Sequence, residues 1–146
     1  MSNCDCRKTI VTKDGPKAIG PYSMAVKACH FIYTAGQLGL DPETGNLVEG
    51  GIEAETHQAI KNLESILKAA GGDLTNIVKN TVFLRDINDF AKMNAVYAEY
   101  FRENPPARSA FQVAALPKGA AIEIESVAQV CDCDKHEEKK ECSCNK

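Results

Sequence analysis

The stretch Ile52–Phe101, IEAETHQAIKNLESILKAAGGDLTNIVKNTVFLRDINDFAKMNAVYAEYF, decides the fold. Ile52, Ala59, Ile60, Leu63, Leu67 and Ala70 recur at helical spacing, and Gly71-Gly72 supply the left-handed stop. Ile77–Leu84 (IVKNTVFL) is β-branched and apolar, with the length and flanks of a buried strand. Asp86, Asn88 and Asp89 then offer N-caps for a second helix, which lines one face with Phe90, Met93, Tyr97, Tyr100 and Phe101. Asn104-Pro105-Pro106 ends it. The stretch reads as helix, strand, helix.

Upstream, Thr9–Val11 is a short β-rich run, and Gly15-Pro16 and Gly20-Pro21 punctuate a loop. Ala25–Cys29 and Phe31–Ala35 read as two strands around a tight turn near Cys29-His30, and Asp41-Pro42-Glu43-Thr44-Gly45 is a strong turn signal. Downstream, a strand at Arg108–Ala114 is followed by a turn at Pro117-Lys118-Gly119 and a last strand at Ala121–Val130. In that strand Ile122, Ile124 and Ser126 alternate with Glu123, Glu125 and Val127. The order is three strands, helix, strand, helix, two strands. Right-handed crossovers place both helices on one side of a single sheet. The expected architecture is therefore an α+β two-layer sandwich with a mixed sheet, two helices on one face and the other face bare. Apolar residues such as Val127 on the bare face imply a homo-oligomer.

The chain has 146 residues, the size of one domain, and its 44% hydrophobic residues suffice for a core. Lys plus Arg is 17 against 20 Asp plus Glu, so the net charge is −3 and no global field gathers nucleic acid. No apolar run approaches the ~18 residues of a membrane span. Seven cysteines cluster at the ends: Cys4 and Cys6, then Cys131, Cys133, Cys142 and Cys144, with Cys29 alone in the patterned middle. This is not a disulfide framework, and the expected location is the cytoplasm. After Val130 the segment CDCDKHEEKKECSCNK has no aliphatic residue. The chain divides into a Cys-containing extension (1–7), a globular domain (8–130) and a charged, Cys-rich tail (131–146).

Arg108 opens a strand just after Pro105-Pro106, which stiffens its backbone. A guanidinium so held suits bidentate capture of a small carboxylate or phosphate, although a surface salt bridge is the commoner use. Glu123 and Glu125 project to one side of the last strand. Desolvation there raises a carboxyl pKa, and either such a group or an Arg-paired one can position water; two exposed carboxylates are the plain alternative. Tyr22, after Gly20-Pro21, can close a pocket or pack over a core edge. There is no Gly-x-Ser-x-Gly, phosphate loop, His-Glu-x-x-His or dinucleotide fingerprint, and His30, His57 and His136 have no metal-site spacing. Cys29 reads as packing rather than as a nucleophile.

Pro106-Ala107-Arg108-Ser109-Ala110-Phe111-Gln112-Val113-Ala114-Ala115-Leu116-Pro117-Lys118-Gly119, followed by Ile122-Glu123-Ile124-Glu125, resembles the signature of the RidA/YjgF reactive intermediate deaminase family. Ala18-Ile19-Gly20-Pro21-Tyr22-Ser23, Ala35-Gly36-Gln37, and Asp86-Ile87-Asn88-Asp89-Phe90 with Asn94 match it too, so the likeness spans residues 8–130. The resemblance implies a chorismate-mutase-like fold in a homotrimer with a central barrel and pockets at the subunit interfaces. It also implies hydrolysis of 2-enamine/2-imine acids released by pyridoxal-phosphate enzymes, without metal or cofactor. Arg108 would grip the substrate carboxylate and Glu123 would activate water, while Tyr22, Asn94, Gly36 and Ala110 would contact substrate. Two positions depart from the common pattern: Ala35 stands where many members carry Ser, and Ala110 where bacterial members often have Cys. Thr34 cannot supply the missing hydroxyl, because strand neighbours face opposite sides.

Older labels of the family, endoribonuclease and translation inhibitor, form the alternative. An acidic chain without a basic patch or a His pair argues against it. A third reading concerns the tails: Cys4-x-Cys6, Cys131-x-Cys133 and Cys142-x-Cys144 bring thiolates close enough for a soft metal ion or a redox response.

Overall fold

The computed structural model describes residues 6–131. Cys4, Cys133, His136, Cys142 and Cys144, and with them the reading of the tails as a metal or redox appendage, lie outside the described residues.

Strands β1 (Arg7–Ile10), β2 (Ala25–Ala28), β3 (Phe31–Thr34), β4 (Gln37–Leu38), β5 (Ile77–Leu84), β6 (Ala107–Gln112) and β7 (Ile122–Gln129) form one mixed sheet. Its order is β1-β2-β3-β7-β5-β6, with β4 pairing β7 as well. Helices α1 (Gly51–Ala69) and α2 (Phe90–Tyr100) cover one face. β5 and β6, joined through α2, are the parallel pair, and the other ladders are antiparallel. The α+β sandwich expected from the pattern is the fold observed.

β5 occupies the expected residues, whereas β1 starts two residues earlier than the Thr9–Val11 run suggests. Ladder pairing sets that boundary, since Arg7 and Lys8 pair with Ala28 and Lys27. β4 has no counterpart in the sequence reading: two residues carry no periodicity. It exists because Gln37 and Leu38 pair with Ile124 and Glu123 and because α1 holds it from below. Asn62, 1% exposed, donates from Nδ2 to the Leu38 carbonyl at 3.1 Å and the Leu40 carbonyl at 2.9 Å. Glu55 of α1, also buried, accepts from the Ala121 backbone N–H at 2.7 Å.

The core lies between the helices and the inward residues of the sheet. Ile60, Leu63, Ile66 and Leu67 of α1 meet Val82, Leu84, Ile122 and Ile124, all 0% exposed. Each such side chain contributes about 1.5–3 kcal/mol through burial. Ile66 was not among the residues that the helical spacing singled out, because Leu63 and Leu67 already filled that stripe. The opposite face is uncovered by this chain. Phe31, Tyr33 and Phe111 are exposed there, and Phe83 stacks edge-on to Phe111 with ring centroids 5.4 Å apart.

Replacing Asn62 with Ala leaves the Leu38 and Leu40 carbonyls without their side-chain donor, and should destabilise the fold by about 2–4 kcal/mol in a urea titration. A loss below about 0.5 kcal/mol would show that β4 does not depend on this tie.

Candidate active site

The candidate side chains fall into two clusters on opposite faces of the sheet. On the helix side, Arg108 is the second residue of β6, in register with Asn80 of β5. Its guanidinium donates to Asn94 Oδ1 at 2.8 Å and lies 4.5 Å from the Tyr97 ring centroid and 5.5 Å from that of Phe90. Ala110 follows on the same side, paired with Val82 and packed against the core.

On the uncovered side, Glu123 of β7 alternates with the buried Ile122 and Ile124 and therefore points away from the helices. It pairs across the sheet with Phe83 and with Leu38. With Lys17, Tyr22, Gly36, Gln37 and Pro117 it lines a cavity of about 70 Å³, whose walls mix apolar side chains with the polar residues Glu123, Lys17, Gln37 and Tyr22. That space holds roughly two water molecules or part of a small organic acid. Desolvation in this setting pushes the Glu123 carboxyl above the ordinary range, and the neighbouring charge of Glu125 pushes it the same way. Gly36 is a close-approach position: a Cβ there would collide with the Glu123 carboxylate. Tyr22 sits at the cavity rim, its hydroxyl accepting from the Ile19 N–H at 3.3 Å.

One chain therefore joins Tyr22, Gly36 and Glu123, and separately joins Asn94 and Arg108, with the thickness of the sheet between the two sets. β6 is the last strand of the sheet, so Arg108 stands on an edge that a second copy can approach. Thr34 is buried and accepts from the Ser126 N–H at 2.9 Å, so its hydroxyl is committed on the helix side and does not reach the cavity beside Ala35.

The sequence reading did not single out Lys17 as a cavity residue, nor Phe90 and Tyr97 as neighbours of Arg108. Lys17 lies in an irregular loop with no periodic signal. Phe90, Asn94 and Tyr97 did carry one, at i, i+4 and i+7, but rings at that spacing read first as core. No group of three His, Cys, Asp or Glu among the described residues is arranged to hold a metal ion.

The endoribonuclease L-PSP family pattern matches residues 12–130. The chain is 58% identical over 122 residues to the 2-iminobutanoate/2-iminopropanoate deaminase of Homo sapiens, covering 84% of this chain and 89% of the human one. Among solved structures, RidA from an Antarctic Psychrobacter species superposes with a TM-score of 0.82 at 48% identity, covering 84% of this chain and 99% of that one. The TdcF protein of E. coli with bound serine gives a TM-score of 0.81 at 38% identity, covering 85% and 99%.

Because Glu125 raises the proton affinity of Glu123, Glu125→Gln should lower the Glu123 titration midpoint, followed by carboxyl-carbon NMR. An unchanged midpoint would leave desolvation as the whole cause.

Proposed function

The chain belongs to the endoribonuclease L-PSP (RidA/YjgF) family, and on that footing we propose that it is a 2-iminobutanoate/2-iminopropanoate deaminase, a hydrolase. The observation that carries this reading is a partly desolvated carboxylate, Glu123, lining a small cavity, together with an edge-strand Arg108 held by Asn94. We take residues 8–130 as the catalytic domain, with 1–7 and 131–146 as appendages to it.

Arg108 takes the substrate carboxylate in a bidentate pair. The enamine form first tautomerises to the imine, which reacts as its N-protonated iminium, with an electrophilic carbon. Glu123 accepts a proton from a water as the water oxygen bonds to that carbon and the C=N π pair moves onto nitrogen, giving a neutral tetrahedral carbinolamine. Glu123 returns that proton to the amino group; the C–N pair then leaves with nitrogen while the O–H pair closes the carbonyl, and the hydroxyl proton departs with the ammonia as ammonium, releasing the 2-keto acid. The raised proton affinity of Glu123 suits both halves of this exchange, since the group must take a proton and give it back. The backbone at Gly36 and Ala110 and the Tyr22 side chain complete the pocket. The chain's part is to hold the carboxylate, aim the water and manage one proton.

Because Arg108 and Glu123 lie on opposite sheet faces, we place the working pocket between copies of the chain. One copy supplies Tyr22, Gly36 and Glu123, and its neighbour supplies Asn94, Arg108 and Ala110. The exposed Phe31, Tyr33 and Phe111 support association through the uncovered face, in a homotrimer whose sheets close into a central barrel. We place the protein in the cytoplasm; no helix among the described residues is long and apolar enough to cross a membrane. The ribonuclease reading finds less support: His57 is bonded to Tyr100 at 2.8 Å on the helix layer, while His30 sits at the β2–β3 turn. These two imidazoles are not paired for phosphodiester cleavage.

Arg108→Ala and Glu123→Gln should each abolish acceleration of keto-acid release when 2-iminobutanoate is generated in situ by a pyridoxal-phosphate dehydratase. Unfolding the two inactive variants together and refolding them mixed should restore about a quarter of the sites, since each site then draws its halves from different chains. No recovery in a mixed oligomer would sink the shared pocket, and full activity in either single variant would sink the assigned role.

A further inference from the structure

The seat of Arg108 is more elaborate than a carboxylate grip requires. Phe90, Asn94 and Tyr97 fall at i, i+4 and i+7 of α2, so a single helix face presents two rings and an amide to one guanidinium. Tyr97 is the closer and the deeper, 5% exposed, whereas Phe90 is 38% exposed and forms the outer wall. Tyr97 is itself pinned. Phe101 stacks on it with centroids 4.4 Å apart, and Asn80 Nδ2 donates to its hydroxyl at 2.8 Å. Asn80 Oδ1 in turn accepts from Ser126 Oγ at 2.5 Å, and the Ser126 N–H donates to Thr34 Oγ1 at 2.9 Å. Thr34, Asn80, Ser126 and Tyr97 are all buried, so this chain of bonds runs from β3 through β7 and β5 to α2 without leaving the interior.

We propose that Tyr97 and Phe90 are positioning residues for the reaction: they fix the plane of the Arg108 guanidinium, and Asn80 and Ser126 fix Tyr97. The inference rests on the assignment of Arg108 as the carboxylate grip. A guanidinium is planar and stacks on aromatic faces, and its directional fork is useful only if that plane is set before the ligand arrives. Asn94 takes one donor, leaving the rest of the fork for a ligand. Burial pushes the Tyr97 phenol up, against the lowering effects of Asn80 and Arg108, so the ring stays neutral. A neutral ring attracts the cation through its π face without neutralising it, and the full positive charge is kept for the substrate. A carboxylate in place of Tyr97 would hold the guanidinium as firmly but would compete with the substrate. Lys at 108 would gain little from this cradle, having no plane to fix.

The alternative is that both rings are ordinary packing. The experiment compares Phe90→Leu, Tyr97→Leu and Tyr97→Phe in the full-length protein, reading KM and kcat for in-situ 2-iminobutanoate and, by calorimetry, the Kd of 2-oxobutanoate, the carboxylate product. We expect Phe90→Leu and Tyr97→Leu to raise KM and Kd roughly tenfold while kcat stays within about twofold, with Tyr97→Phe intermediate, since it keeps the ring but loses the bond from Asn80 that fixes it. Unchanged KM and Kd in folded Phe90→Leu and Tyr97→Leu would overturn the inference and leave the deaminase reading intact. So would a loss confined to kcat. If Tyr97→Leu does not fold, Phe90→Leu, at a half-exposed position, decides the matter alone. Wild-type protein that binds 2-oxobutanoate through Arg108, more weakly in Phe90→Leu, yet hydrolyses no imine would overturn the deaminase reading and keep the cradle. Absence of both binding and hydrolysis in the wild type would overturn both.

Discussion

The pleat of β7 is the constraint on which the rest of the structure depends. Successive side chains of a strand leave on opposite sides, so Ile122, Ile124, Ser126 and Ala128 enter the core while Glu123, Glu125 and Val127 leave it. β7 is also the strand with the most neighbours: β3 and β4 lie along one edge and β5 along the other. A one-residue slip in its register would bury two carboxylates and expose two isoleucines, and burying unpaired charge is among the costliest errors a fold can make. The register is therefore strongly specified, and with it the place of Glu123 beside Gly36 and the place of Ser126 beneath Asn80.

That division by faces also separates two electrostatic tasks. On the covered side a permanent cation is held among aromatic rings and amides, groups that stabilise it without discharging it. On the uncovered side a carboxylate lies half-buried in a small cavity near another carboxylate, and both the burial and that neighbour discourage its charge. Within one chain the sheet keeps the two apart, so no ion pair forms between them there; in the pocket proposed between copies they would meet only across the interface, on either side of the substrate.

Much of this was legible in the amino-acid order. The helical spacing from Ile52 to Ala70, the apolar run at Ile77–Leu84 and the alternation after Ala121 carry strong periods, and the elements formed where those periods lie. β4 was not legible, because its two residues become a strand only through partners distant in sequence: β7 on one side and Asn62 on the other. For the candidate site, Arg108, Glu123, Tyr22, Asn94, Gly36 and Ala110 stand out through local motif, and the roles proposed for them rest on that likeness together with the geometry. That Arg108 and Glu123 face opposite ways could be worked out only after the register of β6 against β5 and of β5 against β7 was known. The rings around Arg108 were visible as residues but not as a cradle, since an aromatic at helical spacing has the same signature whether it meets an isoleucine or a guanidinium.

Gly36 carries a consequence of a different kind. A side chain of any size there would displace the Glu123 carboxylate, yet the glycine lies at the border of β3 and β4, outside the core that holds the chain together. Foldability and the placement of the carboxylate are thus decided by separate residues at this point. A side chain at position 36 would leave the hydrophobic core as it was and push the Glu123 carboxylate from its present place; under the role proposed for Glu123, such a chain would keep its fold and lose its turnover.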